Sequence, residues 1–200
     1  MAHQLTSLGI SVLALLRERP MHGYEMLQTL SDRQADRIVR VRPGSLYHTV
    51  ERLTGQRLIR RAARGRDGNR PERVVYEITD AGVEALAERV RELVATPVNE
   101  YPQFTVALAE IDNLDPDSAV HALDSRVVAL EAGVAEMTAQ RNAGIAPGLS
   151  PIVLEYLLAI TQAEVTWLRQ CATSLRSGRW SWPATARPET VTDSGSEVQT

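Results

Sequence analysis

Between Arg37 and Arg73 the sequence carries eleven arginines against three acids, Glu51, Asp67 and Glu72, although the whole chain has a formal net charge of −3. Arginine offers planar, forked N–H donors that match phosphate oxygens and the O6/N7 edge of guanine, so such a run suits a polyanion. Inside it lies PGSLYHTVERL, residues 43–53. Leu46, Val50 and Leu53 fall at helical spacing and claim the inward face, which turns Ser45, His48, Thr49 and Arg52 elsewhere. These four are expected to face base edges, with Arg suited to guanine and Ser and His to shorter contacts. Tyr47 lies between the faces, able to pack its ring and offer its hydroxyl to a phosphate. Gly44 and the free N–H groups of the first turn suit close approach of an anion. Arg64, Arg66 and Arg70 form a second basic group, flanked by Arg42, Arg60, Arg61 and Arg73, and are expected at phosphates or in the minor groove.

The chemistry of other classes is missing. The sequence has no nucleophile elbow, no glycine-rich phosphate loop and no metal-spaced histidine pair, so no enzyme activity, cofactor or metal is expected. Its single cysteine, Cys171, sits in an apolar helical pattern and reads as a small core residue. No apolar stretch reaches the roughly 18 residues of a membrane span, and no cleavage site follows the first helix, so a cytoplasmic location without membrane contact is expected.

These side chains need elements to carry them. Leu5, Leu8, Val12 and Leu15 or Leu16 mark a first helix that stops at Arg19-Pro20. A second starts at His22 and runs to about Arg33. In it His22 is expected to cap the helix, Gly23 to permit the tight turn and Tyr24 to pack against the first helix. Pro43 suits the first position of a third helix, about 43–55. Residues 58–61 and 73–78 are β-prone and flank an Asp67-Gly68 step, which predicts a hairpin. Thr79 is expected to cap a fourth helix ending near Thr96-Pro97. Three short helices, a basic hairpin and a closing helix predict a winged helix-turn-helix over residues 1–96.

The second half reads as helical over 97–182. A short helix covers about 100–112, a long one opens at Asp115-Pro116, and a last one runs from Pro151 to about Arg176. That last helix has two apolar stripes, Leu154, Leu158, Thr161, Val165, Leu168 and Leu175 on one seam and Val153, Leu157, Ile160, Trp167 and Cys171 on another. So wide an apolar arc needs more than one neighbour, and a partner chain is the natural second one. The first seam is assigned to dimerisation. Residues 183–200, rich in Thr, Ser, Pro and Glu, predict a disordered tail. The fold class is thus mainly α, a winged helix-turn-helix followed by a helical dimerisation domain.

The strings Pro20-Met21-His22-Gly23-Tyr24-Glu25, Pro43-Gly44-Ser45-Leu46-Tyr47 with Arg52-Leu53, and Tyr76-Glu77-Ile78-Thr79-Asp80-Ala81-Gly82 occur in order. Together they resemble the PadR family of bacterial transcriptional regulators, strongly over residues 5–95 and more weakly over 100–182. The resemblance implies a homodimer that binds double-stranded DNA, most simply a repressor on an inverted repeat. It also implies release by a small hydrophobic or aromatic effector, for which Tyr101, Phe104 and Trp167 are the candidate pocket residues. The alternative is a helical protein-interaction module whose winged helix does not bind DNA.

Overall fold

The structure, a computed structural model, describes residues 5–62, 74–143 and 149–180. The chain divides into two compact units, one comprising Met1–Asn99 with Gln140–Leu154 and the other Glu100–Ala139 with Glu155–Thr200.

In the first unit α1 (Ser7–Glu18) starts where the Thr6 hydroxyl accepts a hydrogen bond from Gly9 N at 3.2 Å, closing one of the free donors of the first turn. It ends at Arg19, ahead of Pro20, as the proline rule requires. Met21 and His22 then form β1 before α2 (Gly23–Asp32) begins. The expected second helix therefore exists, but its first residues serve a sheet. β1 pairs antiparallel with β3 (Val75–Ile78), which also pairs with β2 (Ile59–Arg61), so the sheet has three strands in the order β1-β3-β2 where a two-stranded hairpin was expected. Two residues flanked by proline and glycine carry no period that announces a strand; only their partner, some fifty residues away in sequence, makes them one.

His22 keeps its expected place at the N-cap of α2. Its backbone N donates to Glu25 Oε2 at 2.7 Å, and its Nδ1 lies 3.1 Å from the Val74 carbonyl oxygen. The backbone bond from His22 holds the Glu25 carboxyl below the usual carboxylate range. Tyr24, expected against the first helix, is instead exposed. The next helix is α3 (Pro43–Gly55), with Pro43 in its first turn. The Thr79 hydroxyl accepts from Gly82 N at 3.1 Å to open α4 (Asp80–Ala95), and Thr79 N donates to the Leu58 carbonyl at 3.1 Å. The loop between α3 and β2 turns at Arg57, whose φ of 60° lies in the left-handed region.

One core joins these elements. Leu13, Met26, Leu46 and Leu53 are fully enclosed within it, and Leu86 of α4 and Ile59 of β2 close its sides. Burying each such side chain contributes on the order of 2 kcal/mol, so the inward line Leu46-Val50-Leu53 fixes how α3 rotates about its axis. Gly82 is needed at the closest approach: a Cβ there would stand 2.1 Å from the Leu58 carbonyl oxygen.

The second unit contains α5 (Gln103–Ala109), most of α6 (Pro116–Asn142) and most of α7 (Pro151–Arg176). The α6 and α7 helices pack through Leu123, Val127, Val165, Leu168, Cys171 and Ala172, with Phe104 and Leu108 of α5 against them. Burial raises the Cys171 thiol above its ordinary value, in keeping with a core residue. Three ion pairs flank this seam: Arg126 with Glu164, Arg169 with Glu131, and Arg176 with Asp124. Among the described residues, no helix is long and apolar enough to cross a membrane and no cluster of His, Cys, Asp and Glu could hold a metal ion.

Candidate nucleic-acid interface

With Leu46, Val50 and Leu53 inward, α3 turns Gly44, His48, Glu51 and Gly55 to the opposite side, and all four are exposed. Arg42, Pro43 and Ser45 at its start are exposed as well, and no side chain caps its first turn. A Cβ on Gly44 would meet nothing within 4 Å, so this turn presents bare backbone. Its N–H groups and the positive end of the helix dipole are open to an anion. Tyr47 flanks the bare line, half its surface exposed. Its ring is held from below by α2, since a Cβ on Gly23 would stand 2.8 Å from Tyr47 Cε1. Gly23 thus serves by making room for Tyr47, and not, as expected, through a backbone conformation that needs glycine.

Two of the expected readers take other roles. Thr49 is only 7% exposed, and its hydroxyl donates to the Ser45 carbonyl at 2.8 Å. It sits about 60° from Leu46 around the helix, close enough to the apolar line to be buried with it. Arg52 is exposed but donates from Nη2 to Thr6 Oγ1 at 2.8 Å, so it ties α3 to the start of α1. The spacing placed both off the apolar line; what engages them is the helix's own backbone for Thr49 and the cap of α1 for Arg52. Ser45, His48 and Arg42 remain outward. Among the flanking arginines Arg60 pairs with Glu77 across β2 and β3 at 2.5 Å, and Arg61 is exposed. Arg64, Arg66, Arg70 and Arg73, together with Asp67-Gly68, lie outside the described residues, as does the expected tail 183–200.

Glu51, which the sequence reasoning passed over, stands beside His48 on the same exposed line. Its signal was available: it is the lone acid between Arg37 and Ala62.

Most of the seam assigned to dimerisation along α7 is buried within the chain itself. Leu154, Leu158, Val165 and Leu168 are buried within one chain, Thr161 is half-buried, and Leu175 packs against the α6–α7 core. Leu123 and Val127 of α6 share one core with Val165 and Leu168 of that face. On the opposite side of α7, Tyr156 is 64% exposed and Trp167 41%, with Ile160 between them. The second stripe read from the sequence is split, with Cys171 buried in the α6–α7 core and Ile160 and Trp167 exposed, a division that periodicity alone does not give. The candidate effector residues fare differently from one another. Phe104 packs against the α6–α7 core with the Arg126 guanidinium 3.7 Å from its ring centre, whereas Tyr101 and Trp167 are exposed.

The arrangement of three helices and a three-stranded sheet, with an uncapped third helix facing out, has counterparts. Residues 12–88 match the model of the transcriptional regulator PadR-like family. Over that stretch, about two fifths of its length, the chain is similar to the PadR-like family. That model describes transcriptional regulators. Solved structures of similar fold include Bacillus subtilis PadR in complex with operator DNA, at 19% identity and a TM-score of 0.67, covering 85% of this chain and 99% of that one. The same protein in complex with p-coumaric acid matches at 18% identity and a TM-score of 0.67, covering 84% and 98%. The Vibrio cholerae virulence activator AphA matches at 20% identity and a TM-score of 0.65, covering 86% and 99%. The likeness is one of fold, the winged helix-turn-helix followed by C-terminal helices. No curated protein sequence matches the chain.

Proposed function

We propose that the chain is a sequence-specific DNA-binding regulator, acting in the cytoplasm as a homodimeric repressor of an inverted-repeat operator. Residues 1–96 form the DNA-binding part and 97–182 the dimerisation part. The observation that carries this reading is the uncapped start of α3, where Arg42, Gly44, Ser45, Tyr47 and His48 lie exposed around open backbone N–H groups. The match of residues 12–88 to a family of transcriptional regulators and the operator complex of Bacillus subtilis PadR support it. Arg64, Arg66, Arg70 and Arg73 contact phosphates. The partner chain seats on the outward line Tyr156-Ile160-Trp167, since the inward seam is filled. A hydrophobic or aromatic small molecule is the effector, a reading supported by the p-coumaric acid complex of the Bacillus protein.

The test is fluorescence-polarisation titration against the chain's own upstream intergenic DNA and a shuffled control at several salt concentrations. Tighter binding to the native fragment with a steep salt slope supports a site-specific regulator. No binding to either would favour a protein-interaction module instead.

A further inference from the structure

Residues 37–62 hold seven arginines and one acid, Glu51. That acid occupies the outermost line of α3, where the Glu51 and His48 side chains are 78% and 85% exposed and Oε2 lies 3.7 Å from Nδ1. The line is bare at both ends, because Gly44 and Gly55 have nothing within 4 Å of where a Cβ would stand. Nearby arginines are turned to other partners, Arg52 to Thr6 and Arg60 to Glu77. A carboxylate so placed weakens attraction to any phosphate, which is the wrong choice for a helix that only tracks a polyanion.

The same carboxylate discriminates among bases. In the major groove guanine presents N7 and O6 and thymine presents O4, all acceptors that repel it, while cytosine presents the N4 amino donor. Adenine offers its N6 amino group beside an N7 acceptor, a mixed edge that suits an amide better than a carboxylate. Glu51 is the ninth residue of α3, about 12 Å along the axis from Pro43, a distance comparable to the width of the groove. We propose that Glu51 sets base preference, accepting a hydrogen bond from cytosine N4 at one base pair and excluding guanine and thymine there. The proposal rests on the DNA-binding reading above.

The full-length protein and its variants Glu51→Gln and Glu51→Ala are each used to select from a random-sequence duplex library, and the selected DNA is sequenced. Polarisation titrations of the winners follow. Replacing the key cytosine should cost the unsubstituted protein roughly tenfold or more in affinity, and the Ala variant no more than about twofold. The Gln variant should select adenine at that position, since its amide can both accept from N6 and donate to N7. Because Glu51 is exposed, both variants should keep the unsubstituted circular dichroism spectrum; if Ala perturbs the fold, the near-isosteric Gln variant decides alone. A DNA motif unchanged at every position in the variants would overturn this proposal while leaving DNA binding intact. Failure of the unsubstituted protein to enrich any sequence would overturn both readings.

Discussion

Individual side chains of the first unit divide into those that face outward and those that hold the helices. Arg52 belongs to the second group, because its guanidinium is engaged with Thr6 at 2.8 Å. Arg52→Ala should lower stability by about 1 kcal/mol, as loss of one charge-assisted bond at a surface does, and leave the salt slope of DNA binding unchanged. Arg42→Ala should do the reverse: unaltered stability, and a slope shallower by about one unit because one phosphate is no longer neutralised. Denaturant titration and salt-dependent polarisation on the two variants check this, and a fall in slope with Arg52→Ala would restore that arginine to the phosphate-binding set. Glu18 is held below the ordinary carboxylate value of 4.5, chiefly by its hydrogen bonds from Arg33 at 2.6 Å. A depressed carboxylate stabilises the folded chain above that ordinary value, and the gain is lost as pH falls through the folded value. Both partners are nearly half exposed, so solvent screening limits the gain to about 0.5 kcal/mol. Glu18→Gln should therefore be slightly less stable near neutrality, and the gap should close once the pH falls below the folded value of Glu18. A stability gap that persists in acid would assign the pair no such role.

At the scale of elements, the decisive feature is how α3 and α4 are pinned to the sheet. Leu53 has no exposed surface, and Leu53→Ala should cost about 2–5 kcal/mol by leaving a cavity under α3. Gly82 brings α4 against β2, and the atom a new Cβ would strike is a backbone oxygen that cannot swing aside. Gly82→Ala should thus destabilise by about 2–3 kcal/mol despite alanine's better helix propensity. Equal stability of this variant in urea would show that α4 can shift without loss. The element order of the first unit was legible because each helix has its own apolar period and later helices have their own start signals, His22, Pro43 and Thr79 among them. β1 was not, since two residues are too few to carry a period.

For the whole molecule, the two faces of α7 have opposite fates. Tyr156→Glu and Ile160→Glu lie on the exposed line and should leave the chain folded while converting a dimer into a monomer in light scattering. DNA affinity should fall with it, because two half-sites about 34 Å apart are then no longer bound together. Leu158→Glu, by contrast, places a charge in the filled seam and should unfold the second unit. A dimer that survives both outward substitutions would move the interface off this line.

By itself the sequence determined the three-helix order, the helix starts, the apolar line that orients α3 and the basic surround of that helix. These follow from local period and charge, which a chain carries whatever it folds against. The tertiary structure decided which polar residues next to the apolar line are engaged within the chain, as Thr49 and Arg52 are, and which residues of the two stripes on α7 are inward. It also made a strand of Met21 and His22. Apart from the Thr49 bond to its own helix, each of those outcomes depends on a neighbour distant in sequence, and no spacing within one helix encodes which neighbour arrives.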